Sequence, residues 1–546
     1  MKKSLLLLFA AFATLAASAH DFEVNGIYYN ITSPTTAEVT FKGDYHYSYD
    51  DEYSGSITIP ATVTHEGVSY NGKTYSVTSI GERAFFECYH LTAITIPENS
   101  QLTSIGESAF SGCSNLTTIT IPEGVTSIGW RAFFECYHLT AITIPENSQL
   151  TSIGDQAFWG CSSLTAINIP ESVTSIGEWA FYGCSNLTAI TIPEGVTSIG
   201  YEAFLECSSL TAITIPENSQ LTSIEYHVFG GCSSLTTITL PEGVTSIGNW
   251  AFWGCSSLKT ITIPEGVTSI MDHTFDGCSS LTAITIPEGV TSIGYAAFGD
   301  CSSLTAITIP ENSQLTSIRD DAFRDCSSLT AITIPEGVTS IGNWAFWGCS
   351  SLTTITCHAV TPPTIDGSLT FEGVDKDIPV YVPASALNAY KSTWPWSRFG
   401  KFETFEITVE NITLNQSTAT LTKGETLALI ATVAPDDATD KTVTWTSSDE
   451  TVATVKNGVV TAVAEGTATI TATASGKEAT CVVTVEDSKD SEDPKDPEGS
   501  EDKEDPTGIE QVEAQGSTVV YDLMGRRVEK AEKGIYIVNG KKTVIK

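Results

Sequence analysis

The sequence predicts a mainly β protein, with a repeat solenoid of about twelve coils followed by a β-sandwich and a small C-terminal β-module. Twelve cysteines between Cys88 and Cys349 recur at steps of 23 or 25 residues, and these steps set the period of the repeat. Each period carries a Thr- and Ile-rich stretch, such as residues 187–192 (LTAITI), which favours a short strand that ends at proline. After residue 402 the pattern changes to apolar–polar alternation with Gly-containing turns, which is typical of sandwich strands.

Residues 1–19 are expected to form a signal peptide. Lys2 and Lys3 precede an apolar run, and Ala17-Ser18-Ala19 supplies small residues for cleavage. The run is too short to span a bilayer as a helix, and no other stretch reaches the roughly 18 apolar residues that a spanning helix needs. We therefore expect an exported chain without a transmembrane anchor, located at the cell surface (outer membrane exterior) or in the extracellular medium.

The solenoid is assigned to residues 77–357, with a cap at each end. One repeat offers three apolar segments (LTAITI, VTSI and Ala-Phe) that it cannot bury alone, whereas stacked repeats bury them against one another. Residues 20–76 are strand-rich and irregular and are interpreted as the N-terminal cap. Residues 358–401 break the period and are interpreted as the C-terminal cap, with Trp394, Trp396 and Phe399 predicted to form a lid over the core.

Two motifs recur together through residues 77–357, namely Leu-x-x-Ile-x-Ile-Pro and Ala-Phe-x-x-Cys. In these motifs the chain resembles leucine-rich-repeat bacterial surface proteins of the BspA-like (treponemal-type) class. The resemblance implies a leucine-rich-repeat solenoid, and it implies an association with adhesion.

Three further segments follow the solenoid. Residues 402–486 contain VTWTSSD and NGVVTAVAEGTATITA and resemble the bacterial Ig-like group 2 family, which implies a spacer or adhesive sandwich with Trp445 in its core. Residues 487–507 are acidic, contain proline and lack large apolar side chains, so we expect a disordered linker. Residues 508–546, through YDLMGRRV and KGIYI, resemble the C-terminal sorting domain of type IX secretion, which implies an interaction with the export machinery.

The composition limits the possible functions. A formal net charge of −38 disfavours nucleic acid and anionic lipid as partners, and it fits an extracellular protein or one with basic partners. No Ser-His-Asp, Cys-His or phosphate-loop motif is present, and the eight histidines are dispersed along the sequence. We expect a non-enzymatic protein without a cofactor or a metal site.

The cysteine ladder has more than one interpretation. Fourteen cysteines in an exported chain permit disulfides. The register instead favours free, buried thiols that donate weakly to loop carbonyls, because parallel side chains give a poor disulfide geometry. Metal binding is disfavoured because no Cys-x-x-Cys cluster exists.

Two periodic features could bind partners. A glutamate follows the strand proline in eleven coils, from Glu98 to Glu336, and forms either a solvated edge or a site for divalent cations or a basic partner. Aromatic side chains concentrate at the variable pair before Ala-Phe and at the residue after it. Rows of exposed rings mark interfaces, but each ring could instead cover the neighbouring coil. The candidate partner-binding residues are Trp130, Trp159, Trp179, Tyr201, Tyr226, Trp250, Trp253, Trp344 and Trp347.

The leading hypothesis is a cell-surface or secreted adhesin that binds host extracellular-matrix or cell-surface proteins, other cells or glycans. Many weak, similar sites would act through avidity. The alternatives are a glycan-capturing surface protein and a structural surface-coat protein without a specific ligand.

Overall fold

The computed structural model describes residues 20–43, 52–67, 72–436 and 438–487, together with the backbone of four short strands beyond residue 519. The expected signal peptide lies outside the described residues, as does the expected linker apart from Asp487. The chain divides into two units, residues 1–486 and residues 487–546.

The N-terminal cap extends the solenoid sheets rather than merely covering them. Thr36–Thr40 pairs in parallel with Lys73–Ile80, which pairs in turn with the first short strand of the repeat region. Gly55–Thr58 pairs in parallel with Leu91–Thr95, so the cap already contains one coil. The strands of the cap are Phe22–Val24, Ile27–Ile31, Thr36–Thr40, Gly55–Thr58, Thr62–His65 and Lys73–Ile80.

The coils contribute two short parallel strands each, because the LTAITI and VTSI segments pair with their copies in neighbouring coils. The exception is the coil of Thr260–Ile261, whose second segment forms only a bridge from Ile270 to Ile293. The first strands are Leu91–Thr95, Thr118–Thr120, Ala141–Thr143, Ala166–Ile167, Ala189–Thr191, Ala212–Thr214, Thr237–Ile238, Thr260–Ile261, Ala283–Thr285, Ala306–Thr308, Ala331–Ile334 and Thr354–Cys357. The second strands are Ser104–Ile105, Ser127–Ile128, Ser152–Ile153, Ser175–Ile176, Ser198–Ile199, Ser223–Ile224, Ser246–Ile247, Ser292–Ile293, Ser317–Ile318, Ser340–Ile341 and Thr364–Ile365.

A column of buried aromatic rings runs through the core, with one ring in each coil and neighbouring centroids 4.7–5.8 Å apart. The fourteen rings are Tyr53, Phe85, Phe110, Phe133, Phe158, Phe181, Phe204, Phe229, Phe252, Phe275, Phe298, Phe323, Phe346 and Phe371. The solenoid therefore has about 14 turns. The prediction of about twelve was low because it counted cysteines, and the coils of Tyr53 and Phe371 lie outside the cysteine ladder.

The ladder cysteines are buried thiols that are not joined in disulfides, as the sequence indicated. From Cys113 to Cys349 each Sγ lies 2.9–3.3 Å from the carbonyl oxygen of the core phenylalanine in the preceding coil. The S–H group donates to this oxygen, and burial raises the pKa of the Cys255 thiol to about 12. The thiols therefore act as small apolar side chains that also link successive coils.

A glycine after the second strand permits close contact between coils. A Cβ placed on Gly200 would lie 2.5 Å from the backbone nitrogen of Glu178 in the preceding coil. Four coils carry Glu225, Met271, Arg319 or Asp366 instead. The second-strand sheet breaks before the coils of Glu225 and Met271, whereas pairing continues at Arg319.

The C-terminal cap closes the core with one indole rather than two. Trp396 is fully buried, packs 5.3 Å from Phe371, and donates from Nε1 to the carbonyl of Pro363. Phe399 is also buried, but Trp394 is 55% exposed, so the prediction that Trp394 belongs to the lid was wrong. The elements of the cap are the strand Pro379–Pro383, the 3-10 turn Ala384–Ala386, the helix Leu387–Ser392, the 3-10 turn Trp396–Arg398 and the strand Lys401–Phe405. Within the described residues no helix is long and apolar enough to cross a membrane.

The segment after the solenoid is an Ig-like β domain. Its central sheet pairs Lys477–Glu486 with Gly466–Ala474 and with Thr418–Thr422. The predicted core residue Trp445 packs against two small apolar clusters, but it is half-buried rather than fully enclosed. The strands are Asn411–Leu414, Thr418–Thr422, Thr426–Ala428, Ala431–Ala434, Thr444–Ser447, Ala453–Lys456, Val459–Ala462, Gly466–Ala474 and Lys477–Glu486.

The second unit contains a small antiparallel sheet. Its described strands are Val520–Tyr521, Arg527–Val528, Gly534–Val538 and Lys541–Ile545. Val520–Tyr521 pairs with both Arg527–Val528 and Gly534–Val538. The remaining residues of the expected sorting domain, 508–546, lie outside the described residues.

Candidate interaction surface on the solenoid

The Ala-Phe turn is defined here as the seven residues that end at the ladder cysteine, for example residues 178–184. The backbone hydrogen bonds of this turn alternate in direction. Trp179 and Phe181 donate to carbonyls of the next coil, whereas Ala180 and Tyr182 donate to carbonyls three residues earlier in the same coil. A helix satisfies all its bonds internally, whereas this turn uses every second N–H to hold the following coil.

The second position of the Ala-Phe turn adopts a positive φ in all twelve cysteine-bearing coils, although no glycine occupies it. The residues are Arg83, Ser108, Arg131, Gln156, Trp179, Glu202, His227, Trp250, His273, Ala296, Asp321 and Trp344, with φ between 48° and 62°. Positive φ is uncommon for side chains of this size. In the eleven coils from Arg83 to Asp321 this conformation points the N–H at a carbonyl of the next coil, as in the 2.9 Å bond from Trp179 to the carbonyl of Tyr201.

Side chains at this second position contact their counterparts one coil further on. Arg131 Nε donates to Gln156 Oε1 at 2.6 Å. Trp179 Nε1 donates to Glu202 Oε2 at 2.8 Å. The Trp250 ring stacks on His273 with 3.6 Å between centroids. Side chains at this position therefore bridge neighbouring coils.

The first position of the turn differs among the twelve cysteine-bearing coils: three carry aspartate, four carry an aromatic ring, and five carry glutamate or asparagine. Asp155, Asp272 and Asp320 each accept, through Oδ1, a backbone N–H of the next coil at 2.8–2.9 Å. In other coils the position carries a ring, and Tyr201 and Tyr226 are 48% and 39% exposed. The acidic members therefore stabilise the stack, whereas the exposed rings leave much of their surface open to solvent.

We call the side chains at the first, second and fifth positions of the Ala-Phe turns the aromatic edge. The structure brings most of the nine predicted residues into groups on this edge. In the first group Trp159 lies 4.4 Å from Tyr182, 5.6 Å from Phe134 and 6.3 Å from Trp179. Trp130 lies beside this group, with the Arg131 guanidinium 4.3 Å from its ring centroid.

A second group spans four coils around Trp250. This ring contacts Trp253 at 5.9 Å and His227 at 5.2 Å, and Tyr226 packs 4.4 Å from His227. Sequence reasoning missed His227, His273 and Tyr295, all of which join this group. Tyr295 occupies the same turn position as Tyr201, and that correspondence was the signal that could have identified it.

The nine residues include both rings that are exposed, as an interface requires, and rings that cover the neighbouring coil. Trp344 and Trp347 are 40% and 38% exposed, and together with Tyr201 and Tyr226 they present broad ring surfaces. The remaining five are half-buried because they lie against adjacent coils: Trp130, Trp159, Trp179, Trp250 and Trp253. The aromatic edge thus packs one face of many rings onto the rod and leaves another face accessible.

Charged groups border the aromatic edge near its C-terminal end. Arg324 Nη2 lies 2.7 Å from Asp300 Oδ2, and Asp321 Oδ1 lies 3.7 Å from Arg324 Nε. His273 Nδ1 and Asp276 Oδ2 are 2.8 Å apart. Desolvation raises the pKa of Asp276 and lowers the pKa of His227. The carboxylates here are already paired with Arg324 or His273, and none of these side chains is a nucleophile activated by a base.

The glutamate ladder lies at the turn after the first strand, on a different edge of the coil, and all its members from Glu98 to Glu336 are exposed. Among the described residues, no group of three or more His, Cys, Asp or Glu side chains is placed to hold a metal ion. One carboxylate per coil supplies too few oxygens for calcium.

Two family models match the chain. The model described as BspA type leucine rich repeat region matches in overlapping segments, residues 73–151, 147–259, 203–326 and 303–373. The model of the bacterial Ig-like domain (group 2) matches residues 408–485.

Two solved structures of similar proteins carry leucine-rich repeats. A leucine-rich repeat protein from Bacteroides ovatus is 28% identical, with a TM-score of 0.44, over 71% of this chain and 100% of that chain. A leucine rich cell surface protein from Faecalibacterium prausnitzii is 30% identical, with a TM-score of 0.40, over 70% of this chain and 94% of that chain.

The curated relatives share only a short stretch with this chain. A lacto-N-biosidase of Bifidobacterium bifidum is 52% identical over 90 residues, which are 16% of this chain and 8% of that enzyme. A 3-O-alpha-D-galactosyl-alpha-L-arabinofuranosidase of Bifidobacterium longum is 57% identical over 76 residues, which are 13% of this chain and 7% of that enzyme. Since the repeat model alone matches more than half of the residues, the chain belongs to the family of BspA type leucine rich repeat proteins.

Proposed function

We propose that this chain is a non-enzymatic adhesin, at the cell surface or secreted, whose aromatic edge binds host extracellular-matrix proteins, proteins of other cells, or glycans. The observation that supports the proposal is the exposure of Tyr201, Tyr226, Trp344 and Trp347 at positions that vary between coils. Large exposed rings on a rigid frame are the side chains that most often dominate binding energy at interfaces. The buried column beneath them is nearly invariant, so the edge can change without unfolding the rod.

The repetition of the aromatic edge favours avidity over a single tight pocket. Rings recur on coils from Phe86 to Trp347, and each pair or triplet offers a modest contact area. When several such contacts engage one fibrous or clustered partner, later contacts form at a high effective concentration. A surface of this kind binds immobilised or polymeric partners far better than single soluble copies of the same ligand.

The proposal includes a route to the cell exterior. Residues 1–19 would act as a signal peptide, and residues 508–546 would act as a type IX sorting domain recognised by the export machinery. The Ig-like domain would act as a spacer, and the acidic stretch at residues 487–507 would add reach. A chain truncated before residue 508 should then accumulate inside the producing cell, which immunoblotting of the medium and surface fractions tests.

Binding is tested with the mature chain at high and low surface density against matrix proteins, mucin and a glycan panel. The variant Tyr201→Ala/Tyr226→Ala removes two exposed rings from the aromatic edge. The control Tyr137→Ala/Tyr381→Ala removes two tyrosines outside the edge positions, with 43% and 38% exposure. We expect density-dependent binding that the first variant weakens and the second preserves; equal effects of the two variants would refute a role for the edge.

Glycan capture is the second candidate. The stretch that this chain shares with the two Bifidobacterium enzymes belongs to proteins named for action on glycans. This candidate predicts saturable binding of a free saccharide at both surface densities. If neither proteins nor glycans bind, a structural coat protein without a specific ligand becomes the better explanation.

A further inference from the structure

Residues 132–258 lack any lysine or arginine, although the chain has 27 such residues in total. The same stretch carries eleven aspartate or glutamate residues. It contains most of the first ring group of the aromatic edge, and from the second group it contains Tyr226, His227, Trp250 and Trp253. This part of the rod is therefore a negative surface with no internal lysine or arginine to neutralise it.

Several of these carboxylates lie among the exposed rings. Glu202 Oε2 accepts the Trp179 indole N–H at 2.8 Å, which fixes the carboxylate against a ring. Tyr201 precedes Glu202 and is 48% exposed, and Glu206 is exposed in the same turn. Aromatic faces and carboxylates together attract guanidinium and ammonium groups, because the ring face and the carboxylate are both negative.

The protein already holds its own guanidinium groups on this edge. The Arg131 guanidinium lies 4.3 Å from the Trp130 centroid and 4.7 Å from the Phe134 centroid. Arg324 pairs with Asp300 at 2.7 Å. Between these two arginines the edge repeats the same rings and carboxylates, but residues 132–258 contain no lysine or arginine that could bind to them.

We propose that the turns from Trp159 to Trp253 bind arginine and lysine side chains of a basic segment in the partner protein. The inference rests on the proposed function, since it names the chemistry of the partner that the aromatic edge would bind. Stacked coils are about 4.8 Å apart, so a basic segment that lies along the rod meets a new turn roughly every one to two residues. Several cationic side chains of one segment can therefore bind at once.

The test uses the full chain and two labelled probes of equal length, nona-arginine and nona-citrulline, in solution at about 50 mM and about 500 mM salt. Citrulline keeps the planar shape of arginine but lacks its charge. One variant neutralises three carboxylates on the aromatic edge: Glu178→Gln, Glu202→Gln and Glu206→Gln. Its matched control neutralises three exposed carboxylates of the glutamate ladder on the same region of the rod: Glu194→Gln, Glu217→Gln and Glu242→Gln.

We expect nona-arginine to bind at low salt and nona-citrulline to bind at least tenfold more weakly. The edge variant should weaken nona-arginine binding about tenfold, as expected for three partly screened charge contacts, and the ladder control should change it less than about threefold. Equal loss in the two variants would mean a general effect of net charge and would overturn the proposal. Equal binding of the two peptides would overturn it as well.

The peptide experiment can fail or succeed independently of the binding experiment that tests the adhesin proposal. If matrix proteins or glycans bind through Tyr201 and Tyr226 while nona-arginine does not bind, the adhesin proposal survives and the basic-segment proposal fails. If nona-arginine binds as expected but no matrix protein, cell or glycan does, the basic-segment chemistry stands and the adhesin proposal fails.

Discussion

Replacing Gly200 with alanine tests whether close backbone contact holds the coils together. The new Cβ would lie 2.5 Å from the nitrogen of Glu178 and 2.6 Å from the carbonyl carbon of Gly177, so the two coils must separate locally. The contact at risk includes the 2.9 Å bond from Gly200 N–H to the carbonyl of Ile176 and the pairing of Ser198–Ile199 with Ser175–Ile176.

We expect a loss of about 2 kcal/mol in the local opening free energy. Two or three backbone bonds at about 1 kcal/mol each are weakened. Alanine also lowers the conformational entropy of the unfolded chain relative to glycine, which offsets about 0.5–1 kcal/mol of this loss. Pairing persists at Arg319, so the coil adjusts rather than unfolds.

Gly195→Ala is the matched control, because its Cβ would meet nothing closer than 3.6 Å and Ser172 occupies the equivalent position in the preceding coil. We expect a change below about 0.5 kcal/mol for this control. Hydrogen exchange of the peptide backbone around residues 172–202 reads local opening directly, which suits a chain that will not unfold in two states. Equal protection in the two variants would refute the close-contact argument.

In the reverse direction, Met271→Gly should increase protection of the backbone against hydrogen exchange around Ile270, where the second-strand sheet is broken.

Three other predictions concern the core, the thiols and the N-terminal cap. Phe229→Ala should destabilise the central coils by about 3–5 kcal/mol, because the ring is fully buried between two others, and hydrogen exchange of the backbone of these coils checks this. Cys255 should resist alkylation at pH 8 in the folded chain and react readily in denaturant, since burial raises its pKa to about 12; rapid labelling of the folded chain would contradict this. Desolvation raises the pKa of Glu52 to about 7, so the folded cap binds a proton that the unfolded chain releases near pH 4.5. Cap stability should therefore fall as pH rises from about 4.5 to about 7, and Glu52→Gln should remove this dependence in limited proteolysis.

The repeat frame could be predicted from the sequence because each apolar position recurs with the cysteine period. Ile190, Val196 and Phe181 had to face inward, since no other arrangement buries the same residue in every coil. The number of coils was harder to predict, because Tyr53 and Phe371 continue the ring column without a cysteine in register. Trp394 and Trp396 are two residues apart and similar in character, and only the packing against Phe371 and Pro363 separates the exposed ring from the buried one.

The candidate surface was predictable in position but not in detail. Free variation before and after Ala-Phe indicated an edge that is at least partly exposed, and the rings are indeed half-buried or exposed there. The direction of each side chain depends on the positive φ at the second turn position, which follows from a bond to the next coil. A pattern within one repeat does not reveal a requirement imposed by its neighbour, so the bridging contact of Trp179 with Glu202 was not foreseen.

The orientation of the bonds between coils also determines how the rod responds to force. Thr197 donates through N–H and Oγ1 to the same carbonyl in the preceding coil, and bonds like these run along the rod. A pull on the two ends loads them in series, so they break one coil at a time rather than all together. Each released coil of 23 residues would lengthen from about 5 Å to about 75–80 Å of extended chain. Under flow, a tethered rod of this design would lengthen in steps as single coils unfold, and this lengthening would limit the tension on its attachment.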